Sequence, residues 1–341
     1  MAISLRIPDA PALAGLSFRH ATGPQDAEAL YAVHVGRRAH DQVDPLCASE
    51  SWPSRERLQS ELARAAQGQL DQWLVAQVGE QVVGYACIDF WPEADGTRVY
   101  LTLGWVLPDW RGLGIGTSML RWTEQHILRL ASEQHPQEKA EFAANASSTE
   151  LEATQLLLHE GYCSMYTVLE LGLDPSALPP LIALPAGLEV RPALPEHLLD
   201  ITRSVCESYA HEYDGGRFDG GCDPEAFAAK LRQPRHDPTL WQVAWDGDKV
   251  AGQVLAVIEN GCAAVIEVSV RSAWRRRGLA RSLLLRALHD LLGRGHCVIR
   301  LRTVAEFRTR ALDLYESVGF RVLKEFPRYR KPFPKSSAEP F

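Results

Sequence analysis

The 341-residue chain has no apolar run of the ~18 residues that a membrane helix needs and no charged-then-apolar leader, so neither a membrane span nor export is expected. Its seven cysteines (47, 87, 163, 206, 222, 262 and 297) include no Cys-x-x-Cys pair. An odd, scattered set argues against a zinc site or a disulfide frame and suits reduced thiols in the cytoplasm. The eleven histidines show no metal-ligand spacing, so no metal is expected. An excess of positive charge is also missing. The net charge of -7 disfavours nucleic acid or an anionic membrane as the main partner and is compatible with a cationic or neutral one. What remains, 46% hydrophobic and 23% charged, is a globular composition, and the length allows two domains with separate cores.

One short motif occurs twice. Trp110-Arg111-Gly112-Leu113-Gly114-Ile115-Gly116 returns as Trp274-Arg275-Arg276-Arg277-Gly278-Leu279-Ala280. Each copy follows an apolar run and opens a Leu-rich helical pattern, giving strand, glycine turn and helix N-terminus. That combination presents successive backbone N–H groups to an anion such as a diphosphate. Other segments also match: Ala14–Arg19 with Ala186–Arg191, and Trp73–Ala76 then Val82–Gly84 with Trp241–Ala244 then Val250–Gly252. The offset narrows only from 172 to 168 to 164, so the chain reads as a duplicated domain with small loop changes. The expected division is 1–172, a proline-rich linker over 173–186, and 187–341.

Each half reads as strand, two helices, three strands, helix, strand, helix, strand. In the first half helices are expected near 25–38, 54–66, 114–132 and 150–160, and strands near 16–19, 72–78, 82–90, 98–106, 139–144 and 163–171. The second half repeats this, with a long helix near 279–293 whose Leu284, Leu288 and Leu291 share a face. The fold class is α/β, with a mixed central sheet flanked by helices in each domain.

The motif resembles the cofactor loop Arg/Gln-x-x-Gly-x-Gly/Ala of the GNAT (GCN5-related N-acetyltransferase) superfamily. Arg111, Gly114 and Gly116 fit it, as do Arg275, Gly278 and Ala280, and the run Ala311–Phe320 is similar to the superfamily's closing Ala-x-x-Leu-Tyr-x-x-x-Gly-Phe segment. The tandem layout is similar to that of mycothiol synthase and other two-domain members. The resemblance implies acetyl-CoA as co-substrate, held in the second half by Val268, Val270, Arg275, Arg276, Arg277, Gly278, Leu279, Ala280 and Arg281. In the first half it implies Val106, Arg111, Gly112, Gly114, Gly116 and Thr117. It further implies a carboxylate on the fourth strand as base, a tyrosine on the last helix as acid, and an acetyl carbonyl polarised by the amide of Val268 or Val270.

The halves differ where that chemistry is expected. Eight residues ahead of the motif Arg stands Glu267 in the second half and Leu103 in the first; four ahead of the closing Gly stand Tyr315 and Leu157. Glu267 interrupts the otherwise apolar run Cys262–Val270, and a carboxylate there needs a partner or a watered cleft. A partly desolvated carboxylate becomes a better base, although a structural ion pair is the competing reading. Tyr315 can equally be a packed core tyrosine. Around 145–149 the first half carries an insertion, so Leu157 is matched by the Gly-Tyr ending alone and Tyr162 stays open as a substitute. Arg308 stands where many relatives have Asn.

The resemblance makes the loop after the first helix of each half an acceptor site. His211–Asp223 is acidic, aromatic and glycine-rich, and His40–Asp44 is its shorter counterpart. Taken together, a cytoplasmic, metal-free N-acetyltransferase is expected, monomeric or homodimeric, catalytic in its second half and acting on a small-molecule primary amine. The open alternatives are a non-catalytic acetyl-CoA-binding module and an acyltransferase using another acyl-CoA.

Overall fold

A computed structural model describes residues 4–7, 9–50, 52–93, 95–209, 222–259, 261–306 and 311–334. The first half of the chain forms β1 (Leu16–His20), α1 (Ala27–Arg37), α2 (Arg55–Ala65), β2 (Trp73–Val78), β3 (Gln81–Pro92) and β4 (Arg98–Val106). It continues with α3 (Ile115–Gln134), β5 (Ala140–Asn145), α4 (Leu151–His159) and β6 (Cys163–Leu173). The second half forms β7 (Glu189–Arg191), α5 (Leu198–Tyr209), α6 (Pro224–Leu231), β8 (Gln242–Asp246), β9 (Lys249–Glu259) and β10 (Cys262–Val270). It closes with α7 (Leu279–Gly293), β11 (Ile299–Val304), α8 (Ala311–Glu316) and β12 (Phe320–Pro332). The expected order of elements is present in both halves, within a few residues at each boundary. Among the described residues no helix is long and apolar enough to cross a membrane.

The compact units are not the contiguous halves of the expectation. One unit comprises residues 1–166 together with 326–341; the other comprises 167–325. In the first, β1 to β4 form an antiparallel run, β5 lies parallel to β4, and Arg328–Pro332 of β12 closes the sheet against β5. In the second, β7 to β10 repeat that run and β11 lies parallel to β10. There Val168–Gly172 of β6 takes the outer place against β11. Each unit thus borrows its last strand from the other half of the sequence. A local pattern identifies a strand but not the edge that accepts it, which is why the boundaries expected at 172 and 187 differ from the observed ones.

The borrowed end is integral to the first unit. Tyr329 is buried in its core, Arg330 bonds Glu93 at 2.9 Å, and Lys331 bonds both oxygens of Glu124 at 2.8 Å. The segment expected to be a linker is also packed. Leu178 and Leu184 lie against the second unit's core, while Ser282 and His289 of α7 bond the carbonyls of Ile182 and Pro179 at 3.2 and 2.9 Å. Gly319 has φ of +102°, and a Cβ there would stand 3.2 Å from the Ala177 backbone, so the chain's close passage explains the closing glycine.

In both units the hairpin of the second and third strands carries an irregularity at equivalent places, Ala76/Gln77 and Ala244/Trp245. Helices cover both faces, α1 and α2 on one and α3 on the other in the first unit, with α5, α6 and α7 so placed in the second. The covering is amphipathic helices over a mostly buried sheet, as the apolar fourth strands implied.

Deleting 326–341 should therefore unfold the first unit, although that segment ends the second half of the sequence. Hydrogen exchange of the truncated chain is expected to show lost protection over 98–106 and 140–145, with protection over 249–259 retained. Loss confined to 249–304 would contradict the exchange of strands.

Candidate functional site

In the second unit β10 follows β9 from Cys262 to Val270, but the register shifts between Val265 and Glu267, with Val265 opposite Ala256 and Glu267 opposite Leu255. Ile266 is the extra residue of a β-bulge, which bends and twists its strand. On its other side β10 pairs with β11 only over Ala263–Val265. Beyond the bulge the two strands part, leaving that edge of Glu267–Val270 without a strand partner. The carbonyls of Val268 and Val270 are met at this edge by Tyr209 Oη (3.4 Å) and Arg275 Nε (2.9 Å). Within a strand, the N–H and C=O of one residue point to the same side, so the amides of Val268 and Val270 face the opening too.

The opening is a cavity of about 880 Å3 lined by Glu267, Val268, Val270, Tyr209, Tyr315 and the Arg275 turn, among others. Tyr209, the last residue of α5, donates a 2.8 Å hydrogen bond to Glu267 Oε1. This fixes one carboxylate oxygen and leaves the group half-buried at the cavity wall. Tyr315 on α8 is 8% exposed; burial first, and the nearby Glu267 charge second, push its phenol well above the ordinary value. It therefore remains protonated throughout neutral and moderately alkaline pH. The arrangement pairs a proton acceptor with a proton-holding donor in one cleft.

The motif turn ends at Gly278, whose φ of +82° caps the N-terminus of α7. A Cβ at Gly278 would meet nothing within 4 Å, so the first amides of α7 look onto open space. Arg276 is itself left-handed (φ +64°), a conformation costly for a side chain of its size. Arg275, Arg276, Gly278, Leu279, Ala280 and Arg281 line the cavity; Arg277 is exposed and does not. Arg275 donates to the carbonyls of Val270 and Ser208, both neutral groups.

The first unit uses the same frame differently. Its β4 pairs with β3 without a shift from Gly84/Val106 to Pro92/Arg98, so there is no bulge, and Leu103 stands opposite Cys87 as Glu267 stands opposite Leu255. Beside that place the second unit holds a chain of small polar groups: Ser204 Oγ donates to Gln253 Oε1 (2.6 Å), and Gln253 Nε2 to Ser269 Oγ (2.5 Å). The first unit fills the equivalent positions with rings. His34 Nε2 shares a 2.7 Å hydrogen bond with Tyr85 Oη, and both pack on Trp105, with centroids 4.8 and 4.9 Å away. Only about 30 Å3 remains between Leu103, Trp105, Asn145 and Glu150.

The first loop also differs in charge. Val106, Arg111, Gly112, Gly114, Gly116 and Thr117 line a cavity of about 630 Å3. Arg111, however, is held by both oxygens of buried Asp41 at 2.6 and 2.8 Å, with Glu152 at 3.5 Å. Arg37, fully buried, joins Asp41 to Glu150 at 3.0 and 2.9 Å. Pro11 lies 3.5 Å from where a Cβ of Gly114 would be, so this turn is more crowded than the second. Leu157 and Tyr162 are buried apolar and aromatic packing groups, Tyr162 lying beneath the Lys331 ammonium at 5.3 Å.

The structure brings together Glu267, Tyr315 and the second loop, as the sequence pattern proposes for a site. Sequence reasoning missed Tyr209, whose only local signal is its place at the end of the helix that precedes the acceptor loop. It also missed the Cys206–Cys222 disulfide, a correction to the expectation of seven reduced thiols; the other five form no disulfide. A spacing of sixteen residues carries no recognisable cysteine motif. Residues 211–221 of the expected acceptor loop, and Arg308, lie outside the described residues.

The profile of the Acetyltransferase (GNAT) family matches residues 41–135 and 203–320. Among solved structures, a GCN5-related N-acetyltransferase from Sphaerobacter thermophilus is 23% identical with a TM-score of 0.72, over 96% of this chain and 97% of that one. A tandem GNAT protein from the clavulanic acid biosynthesis pathway is 15% identical with a TM-score of 0.63, over 94% and 100%. A GNAT-family acetyltransferase from Colwellia psychrerythraea is 14% identical with a TM-score of 0.53, over 92% and 98%. At these identities the structures establish the fold. No curated protein matches the chain.

Asp41 offers a test of the first unit's charge network. Burial alone would raise its carboxyl, but the hydrogen bonds and charges of Arg111 and Arg37 outweigh burial and hold it below the ordinary value. Asp41→Ala leaves two guanidiniums without their shared partner and should cost roughly 3–5 kcal/mol in urea unfolding. The stability Asp41 contributes is fully present above the unfolded carboxyl's pKa of about 3.9 and is lost as pH falls through its lower folded value. A variant as stable as the parent at pH 7 would show the network to be dispensable.

Proposed function

Because the chain belongs to the acetyltransferase (GNAT) family, we propose that its second unit moves an acetyl group from acetyl-CoA to a primary amine of a small molecule by direct transfer. The observation that carries this reading is the meeting of Glu267 and Tyr315 at the parted edge of β10, beside an uncrowded helix N-terminus. The first unit has Leu103 and Leu157 in those places.

The turn of the second unit fits a diphosphate. Gly278 leaves room for phosphate oxygens, the amides of residues 276–280 can donate to them, and the N-terminal end of α7 favours their charge. When bound, the coenzyme presents an activated acetyl thioester. The amides of Val268 and Val270 would donate to its carbonyl oxygen as negative charge grows there. Glu267 would accept the proton that an ammonium must lose before it can attack, and its bond from Tyr209 holds the accepting group in place. Tyr315 would give its proton to the departing sulfur. Its burial keeps that proton in place until the step occurs.

The first unit is read as a scaffold. Its cavity beside Leu103 is filled by aromatic rings, and carboxylates surround its motif arginine, where a diphosphate would meet repulsion. Use of acetyl-CoA would fit residence in the cytoplasm. A stable disulfide is unusual there, so cells lysed into an alkylating agent decide between the two: seven labelled thiols are expected for cytoplasmic residence, five for an oxidising compartment.

Glu267→Gln and Tyr315→Phe should each lower kcat at least about tenfold, within the 10²–10⁴-fold range of general acid–base groups, with acetyl-CoA affinity little changed. Because the Tyr315 phenol is raised, the parent's kcat should show no basic limb at about pH 10, where an ordinary tyrosine titrates. Steady-state kinetics with calorimetric coenzyme binding measure both. Full turnover in the two variants would overturn the assignment.

A further inference from the structure

The cavity wall holds two charged groups that this chemistry does not use, Asp313 on α8 and Arg302 on β11, and only Arg302 is cationic. Strand register fixes the face on which it lies. Gln253 reaches Ser204 of α5, so residues 253 and 255 of β9 are on the α5 face, and Glu267, opposite Leu255, shares it. Val265, opposite Ala256, is on the other face, and Leu301 lies opposite Val265. Arg302, the next residue, therefore returns to the α5 face, with Glu267 and its Tyr209 partner. It is exposed and makes no hydrogen bond or ion pair among the described residues, although Glu170 is opposite it in the next strand. The first unit has Asn145 at the corresponding place, one residue beyond the Thr102–Ala144 pair.

A carboxylate and a guanidinium thus stand on one face of two strands that are separating from a spacing of about 4.8 Å. An acceptor that carried only an amine would engage Glu267 and leave the Arg302 fork, on the same face, without a ligand. An acceptor with an ammonium and an anion a few bonds apart satisfies both. We propose that the acceptor is such a zwitterion, an amine bearing its own carboxylate or phosphate, and that Arg302 selects it by binding the anion. Guanidinium binds either oxyanion in a two-pronged geometry, which a lysine does not reproduce. This inference rests on the acetyl-transfer reading of the same cavity.

Calorimetry with coenzyme A conjugates tests it without turnover. Coenzyme A joined through a thioether-linked acetyl bridge to glycine carries the anion; the same bridge to methylamine lacks it, and to aminomethylphosphonate replaces carboxylate by phosphonate. The glycine or the phosphonate conjugate should bind ~10- to 100-fold tighter than the methylamine conjugate, the range of a charge-assisted contact, and the tighter of the two names the anion. Arg302→Ala should abolish that preference while leaving the methylamine conjugate and acetyl-CoA unchanged, and Arg302→Lys should restore part of it. Equal binding of the three conjugates to the parent, or equal weakening of all three by Arg302→Ala, would overturn the proposal and leave acetyl transfer standing. Failure of acetyl-CoA and every conjugate to bind would overturn both.

Discussion

The parting of β10 from β11 is the constraint on which the site depends. A continuous parallel pair would consume the amides of Val268 and Val270 in ladder bonds and close the space between the strands. One extra residue, Ile266, bends β10 along β9 where it leaves β11 after Val265. The same shift brings Glu267 to the face of α5, where Tyr209 meets it. The parting opens the cavity and the amides, and the bulge sets the face of the carboxylate. The first unit parts its strands at the corresponding place, after Thr102 and Ala144, but without the bulge. There too the parting leaves a cavity, lined by Thr102, Gly104 and Asn145, but Leu103 and Trp105 stand where the second unit has Glu267 and Ser269.

The two units show how one backbone frame carries different chemistry. At three equivalent positions one has His34, Tyr85 and Trp105 and the other Ser204, Gln253 and Ser269, and in both the polar members are hydrogen-bonded to each other. Burying such groups unpaired would cost free energy in either unit, so each set had to remain internally satisfied as its volume changed. Bulk distinguishes the outcomes. Three rings fill the α1 side of the first unit's sheet beside Leu103, where the second unit has small polar groups. The motif arginines make the same bond to the carbonyl five residues back; Arg111 also binds a buried carboxylate, and Arg275 the carbonyl of Ser208. A retained motif is thus a statement about backbone shape, and its neighbours decide whether an anion is welcome.

Much of this was legible in the sequence because it is encoded locally. Glycines at 114 and 278 mark the left-handed turn before each long helix, and Glu267 stands out in an apolar run at a fixed distance from Arg275. Tyr315 is tied in the same way to Gly319. What escaped was encoded by pairing at a distance. Nothing in Arg328–Pro332 says that its partner is β5, and nothing in Ile266 distinguishes a bulged residue from an ordinary strand residue. Tyr209 and Cys206 lie on a helix whose amphipathic pattern was expected, yet their partners are 58 and 16 residues away. The linker was misjudged because proline predicts an irregular path and not whether that path is packed.

The exchange of last strands explains why the copy that carries Leu103 and Leu157 is integral to the fold. Val168–Gly172, encoded at the end of the first repeat, covers β11, the strand that bears Arg302 and flanks the opening. Without it Leu169 and Leu171 would leave the second core, and β11 would present an unpaired edge. Arg328–Pro332, encoded at the end of the second repeat, does the same for β5. Each repeat therefore contains a segment whose favourable burial is realised in the other unit's sheet. Removal of either repeat would therefore strip a strand from the other unit's sheet.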